Sequence, residues 1–183
     1  MCYEKEKDAV FSEIVFDGDD TEAALTELRE KLAKMDSPYV LIRRAGTAPL
    51  SKEQADVLLG DLRQPSISAV SPKILRENRT VFYAGASVKT SGEILPFFSK
   101  YPEEEPGFMC RAITCSTVSV LALDCMAVRR EDFVNGTWKR LKYHPEVVTT
   151  TKEKAPLFFK ALSSESDPYY NQNFSERKPF EVE

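Results

Sequence analysis

The hydrophobic pattern changes period several times along the chain, and each change marks an element. Residues 9–16, from Ala9 to Phe16, are rich in strand formers and stop at the turn cluster Asp17-Gly18-Asp19-Asp20. Asp19 and Glu22 have capping-box spacing, and Leu25, Leu28, Leu32 and Met35 then recur at steps of three and four, which predicts a helix. After Ser37-Pro38, Tyr39-Val40-Leu41-Ile42 is a short continuous apolar run, expected as a strand buried on both faces and ended by Arg43 and Arg44. Ser51 and Gln54 repeat the capping-box spacing ahead of Ala55, Leu58, Leu59 and Leu62, so a second helix is predicted over 52–63, closed by Pro65.

The pattern is less regular downstream. Val81-Phe82-Tyr83 reads as a strand, and Pro96, Pro102, Pro106 and the acid run Glu103 to Glu105 predict a long loop. Residues 108–128 are mostly apolar and β-leaning, with a polar interruption at Thr114 to Thr117, which predicts two adjacent strands at the centre of the core. Residues 152–162 read as a short helix with Pro156 in its first turn. Beyond Ser163 periodicity is lost, so residues 1–163 are expected to form one domain and 164–183 a C-terminal arm or disordered tail. Tyr169, Tyr170, Phe174 and Phe180 give that tail aromatic anchors for a neighbouring subunit or for its own pocket. The expected fold class is α+β, with a mixed or antiparallel β core and two N-terminal helices.

Composition narrows the function classes without choosing one. Of 183 residues, 42% are hydrophobic and 30% charged, the balance of an ordinary globular protein. A formal net charge of −4 works against general attraction to polyanions, so nucleic acid is disfavoured as a partner. The charged start, Met1 to Lys7, lacks the apolar stretch of a signal peptide, and no run of about 18 apolar residues occurs; a cytoplasmic protein without membrane contact is expected. On that expectation the triplets Asn78-Arg79-Thr80, Asn135-Gly136-Thr137 and Asn173-Phe174-Ser175 are coincidental, and Cys2, Cys110, Cys115 and Cys125 are free, packed thiols.

Several segments, in order, resemble the opening part of the taurine dioxygenase family of iron and 2-oxoglutarate oxygenases. They are Tyr39-Val40-Leu41-Ile42-Arg43, then Pro49-Leu50-Ser51-Lys52-Glu53-Gln54, then Asn78 to Ala84, then Pro106-Gly107-Phe108-Met109-Cys110. The likeness spans residues 20–128 and implies a shortened jelly-roll. The family's His-x-Asp/Glu iron ligands would fall near Pro96 and Phe98, neither of which can hold a metal, and the family's second His and its 2-oxoglutarate Arg have no counterpart. The resemblance therefore implies a degenerate, metal-free relative, a pseudoenzyme, and carries over no oxygenase activity. Independently of it, a two-His, one-carboxylate triad needs two imidazoles, and His144 is the single histidine of the chain.

The remaining chemistry is sparse. Cys110, Cys115, Cys125 and His144 could supply four zinc ligands, but no Cys-x2-Cys knuckle is present. A Cys/His dyad has no distinctive local signature. His144, before Pro145 and after Lys139, Arg140 and Lys142, is the candidate general base. Trp138, Lys139, Arg140, Lys142 and Tyr143 interleave bases with aromatics, a candidate nucleic-acid or partner contact. The same alternation fits a half-buried strand, with Trp138, Arg140, Lys142 and His144 on one side and Lys139, Leu141 and Tyr143 on the other. Glycine-rich phosphate loops and nucleophile elbows are missing, so no cofactor and no metal is expected. The pattern points to a domain that binds a small organic ligand or a protein partner, with a homodimer as one form. A cofactor-independent isomerase, cyclase or lyase and a single-stranded nucleic-acid binder are the alternatives.

Overall fold

The computed structural model describes residues 11–89 and 91–160. The chain is α+β; its described residues form a mixed seven-stranded sheet, a smaller antiparallel sheet of four strands and three α-helices. In chain order the elements are β1 (Ser12–Phe16), α1 (Thr21–Ala33), β2 (Tyr39–Arg44), α2 (Lys52–Leu62), β3 (Ile67–Arg76), β4 (Val81–Tyr83), β5 (Ala86–Val88) and β6 (Ile94–Pro96). A short 3-10 turn at Phe108–Cys110 precedes β7 (Ser116–Val118), β8 (Val120–Ala122), β9 (Cys125–Arg129), α3 (Arg130–Asn135), β10 (Arg140–Thr151) and β11 (Phe158–Lys160).

The large sheet runs β1-β2-β9-β3-β10-β7, with β4 attached to β3. The pairs β1/β2 and β3/β10 are parallel, and the other pairs are antiparallel. The small sheet runs β11-β8-β5-β6. Val40, Leu41 and Ile42 are all buried, as a strand covered on both faces requires.

Both predicted N-terminal helices form. The Ser51 capping box is complete, with Ser51 Oγ accepting from Gln54 N and Gln54 Oε1 accepting from Ser51 N. For α1 the cap is Asp20 rather than Asp19: Asp20 Oδ1 accepts from Ala23 N, leaving Asp19 to reach Arg44. Arg44, which ends β2 as the sequence pattern expects, is buried and also meets Asp124 at 3.1 Å and Glu153 at 3.2 Å.

Three other expectations change. Residues 152–162 contain no helix in their described part; Phe158–Lys160 instead pairs with β8, because its aromatic residues fill the gap beside Phe133 and Trp138. Residues 108–128 hold a 3-10 turn and three short strands instead of two. Ser116 and Thr117, read as an interruption, lie inside β7, where an edge strand tolerates polar side chains. The tail from 164 onward lies outside the described residues. No helix among the described residues is long and apolar enough to cross a membrane.

Alternate residues of β10 serve two different interiors. Leu141 and Tyr143 are buried. The Tyr143 ring packs edge-on to Tyr83 at 6.1 Å, and Tyr83 Oη donates to Val120 O of β8, so the small sheet lies on this side. Lys142 and His144 point the other way, toward Asp61 of α2. Helix α2 is tied along β10 at both ends, by Lys142 to Asp61 and by Gln54 Nε2 to Val148 O at 2.9 Å.

The β3/β10 register breaks where two prolines meet. His144 pairs with Pro72, and pairing resumes only at Val148 with Lys73. Neither Pro72 nor Pro145 carries an N–H for the ladder, so a bulge is the low-cost solution, and it leaves His144 at the break.

Candidate functional site

A concentration of polar side chains lies where the α2–β3 connection meets β7 and β10. A solvent-open recess of about 280 Å³ there is lined by Gln64, Ser66, Cys115, Thr117, Arg140 and Lys142, together with Ser116 and Ile67. Its location follows from the sheet. Helix α2 ends at Leu62, and β7, the edge strand, presents Thr117 exposed, with Cys115 exposed immediately before it.

Register fixes who faces whom. Lys142 pairs with Thr117, and Tyr143 with Ser116. Cys115 immediately precedes β7, so it enters the recess at the end of this ladder.

Behind this surface sits a partly screened charge cluster. Lys142 Nζ contacts Asp61 Oδ1 at 2.6 Å, with the two side chains 21% and 11% exposed. His144 Nε2 stands 3.8 Å from Asp61 Oδ2, beyond hydrogen-bond range. Asp61 Oδ2 and His144 Nδ1 are both buried without a hydrogen-bond partner. Buried polar atoms are nearly always paired, so two orphans in one cluster mark a place where solvent, a ligand or a proton is expected to complete the set.

Cys115 is exposed, contrary to the expectation that the thiols pack in the core, because it lies in the loop that leads into the edge strand β7. Its local burial pushes the thiol up from its ordinary value; Lys142 pulls it back, while Asp61 and Glu146 oppose that pull. The group is therefore a protonated thiol at neutral pH. Cys110 is also exposed, on the left-handed turn that carries Phe108 and Met109. Cys125 is fully buried, which pushes its thiol up to about 12. The three cysteines among the described residues thus stand in three environments, and no group of three described His, Cys, Asp or Glu side chains is arranged to hold a metal.

The basic-aromatic segment divides. Trp138 precedes β10 and packs on Phe133 at 5.4 Å and Phe159 at 4.6 Å, away from the side where Arg140 and Lys142 line the recess. Tyr143 donates to Ala112 O inside the core, and burial pushes its phenol upward. Lys139 Nζ donates to Pro65 O and its backbone N–H to Ser68 Oγ. The five residues therefore do not form one stacking surface; only Arg140 and Lys142 reach the recess.

Asp61 and Cys115 were not singled out as one site by the sequence. Asp61 did carry a signal: it is an acid in the last turn of a helix with no basic residue there, at the end where the helix dipole disfavours negative charge. A carboxylate so placed calls for a cation from elsewhere, and Lys142 is that cation. Pro96 and Phe98, where the resemblance put metal ligands, are a β6 residue and a turn residue at φ 55° that packs edge-on to Tyr101. No protein-family model matches the chain, and no curated protein matches it.

Proposed function

We propose that this protein binds a small anionic organic molecule in the recess between the α2–β3 connection, β7 and β10. One observation carries the reading: Arg140 and Lys142 line one small recess together with Ser66, Ser116 and Thr117, in a chain of net charge −4. Lys142 is shared with Asp61, and Arg140 adds an exposed guanidinium, a group that suits carboxylate or phosphate oxygens through its fork of donors. The volume falls at the lower edge of the roughly 300–1,000 Å³ of ligand pockets, and the lining is unusually polar, which selects a small charged ligand over a drug-sized apolar one.

Calorimetric titration with mono-, di- and tricarboxylates and with phosphate esters tests this. At least one member is expected to bind, with affinity that falls as salt rises and drops about tenfold in Arg140→Gln. Absence of binding by every member up to about 10 mM refutes it.

A second reading, a cofactor-independent isomerase, cyclase or lyase, is favoured by the orphaned His144 Nδ1 beside Asp61, an imidazole with an orienting carboxylate nearby. It predicts exchange of a carbon-bound proton of the bound acid with deuterated solvent, lost in His144→Gln. We also propose descent from a shortened, oxygenase-like jelly-roll; its support is the order α1, β2, α2 with the Ser51 capping box. A protein partner or a second copy of the chain remains an alternative occupant, which native mass spectrometry of the purified protein distinguishes.

A further inference from the structure

We propose that the aromatic segment after β11, centred on Tyr169 and Tyr170, docks on an apolar patch of its own chain formed by Tyr101, Phe108, Met109 and Ile113.

Exposed apolar surface is concentrated in one stretch of the fold. Among the described residues, every exposed large apolar side chain except Val15 and Val57 lies between Leu95 and Ile113, and Phe108 and Met109 are 71% and 74% exposed. Single exposed apolar side chains are ordinary, whereas a cluster of them marks a surface that another group covers. Packing joins these residues. Phe98 lies edge-on to Tyr101 at 6.0 Å, and the backbone of Gly107 rests on the Phe98 ring, where an added Cβ would come within 2.5 Å. Phe108 and Met109 therefore emerge beside that aromatic pair. The turn is held from beneath, since buried Ala112 accepts from Tyr143 Oη at 3.0 Å and Cys110 O accepts from Thr114 Oγ1 at 2.9 Å. Met109 and Cys110 have φ of 54° and 58°, a left-handed conformation that is strained for such residues and concentrates at functional turns.

The place where the described chain ends points to the occupant. Lys160 pairs with Val120, Val120 with Ala86, and Ala86 with Pro96, so Lys160 and Pro96 share one rung of the small sheet. Three strand spacings separate them by about 15 Å. Phe97 and Phe98 follow Pro96 directly. Tyr169 comes nine residues after Lys160, a length that extended chain can carry up to about 30 Å, and Tyr170, Phe174 and Phe180 lie beyond it. The aromatic side chains thus reach the patch with length to spare. A tethered segment acts at an effective concentration of about a millimolar, so it covers the surface ahead of a dilute partner. Tyrosine suits the place, because its ring can pack on Phe108 and the Met109 sulfur while its hydroxyl stays in water.

Chymotrypsin cleaves after tyrosine and phenylalanine, so digestion of the full chain, followed by mass, reports whether Tyr169, Tyr170 and Phe174 are covered. Phe108→Ser combined with Met109→Ser removes the patch and leaves the core intact, as both side chains are exposed. Cleavage at the three sites is expected to be about tenfold faster in that variant than in wild type, because it tracks the population of the undocked form. Cys110, exposed on the same turn, gives the reciprocal measurement. Its alkylation rate should rise severalfold in Tyr169→Ser/Tyr170→Ser, while that of Cys115 stays constant. Buried Cys125 remains unlabelled as long as a variant is folded. Should the patch variant misfold, the tail variant alone decides.

Equal cleavage rates in wild type and a folded patch variant, or a Cys110 rate that the tail variant leaves unchanged, overturn the proposal. The protection is expected in a monomer and at every protein concentration. Protection that grows with concentration, together with a dimer in native mass spectrometry, gives the patch to a second copy and overturns docking within one chain.

Discussion

Removing one partner of the Asp61–Lys142 pair tests how the site is built. Lys142→Met removes the ammonium that lies 2.6 Å from Asp61 Oδ1 and leaves a carboxylate, 11% exposed, whose other oxygen is already unpaired. Breaking a fully buried pair costs roughly 3–5 kcal/mol, but Lys142 is 21% exposed and water reaches the gap, so about 2 kcal/mol is expected. Asp61→Asn should cost less, about 1 kcal/mol, because the long lysine can extend its ammonium into solvent, whereas the short Asp61 side chain is fixed on α2. Urea unfolding of the two single variants and the double variant completes the cycle, with a coupling of about 1.5 kcal/mol expected and an unchanged denaturant slope. In a thermal scan Lys142→Met should lower Tm by about 5 °C. Additive effects, or an Asp61 variant costlier than the Lys142 variant, would refute the claim that this contact ties α2 to β10 behind the recess.

Other positions give sharper local tests. Gly85 sits at φ 91° with an added Cβ 3.1 Å from Phe97 and 3.3 Å from Val118, so Gly85→Ala should destabilise by about 2 kcal/mol in urea melts. Alkylation followed by peptide mapping should label Cys110 and Cys115 in the native protein and Cys125 only after unfolding, since burial pushes Cys125 up to about 12. Asp124 is pushed up to about 6 by burial, which outweighs its bonds from Leu157 N and Arg44. The folded protein holds that proton more tightly than the unfolded chain does. Its contribution, about 3 kcal/mol, is therefore full below pH 3.8 and is withdrawn as pH rises through 6, and Asp124→Asn should flatten stability across that window.

The parts of the fold written locally in the chain were legible, and those decided by distant partners were not. Helix α2 announced itself because both halves of its capping box and its apolar spacing lie within a dozen residues. Strand β3 escaped notice although it is central and almost wholly buried. Ser68, Ser71 and Lys73 break its apolar pattern, and Pro72 argues against an interior strand. Each exception is compensated from far away: Ser68 by Asp132 at 2.6 Å, Ser71 by Cys125 O at 2.8 Å, Lys73 by Glu103 O at 2.8 Å, and Pro72 by the bulge in β10.

The site follows the same rule. His144, Arg140 and Lys142 were visible as a basic run, and the alternation that buries Leu141 and Tyr143 was visible too. The arrival of β7 beside β10, which brings Cys115 and Thr117 to that run, was hidden because β7 is three residues long. Trp138 illustrates the converse. Strict alternation put it with Arg140, yet β10 begins only at Arg140, and the ring turns into the Phe133–Phe159 cluster.

The central claim is that Arg140, Lys142 and the β7 edge form an anion-binding recess, and amide chemical-shift mapping tests it most directly. Citrate and inorganic phosphate are titrated separately into isotope-labelled protein. Saturable shifts centred on Ser66, Ser116, Thr117 and Arg140, weakened in Arg140→Gln, are the predicted result. Shifts that cluster elsewhere, or that are identical in the variant, would contradict it.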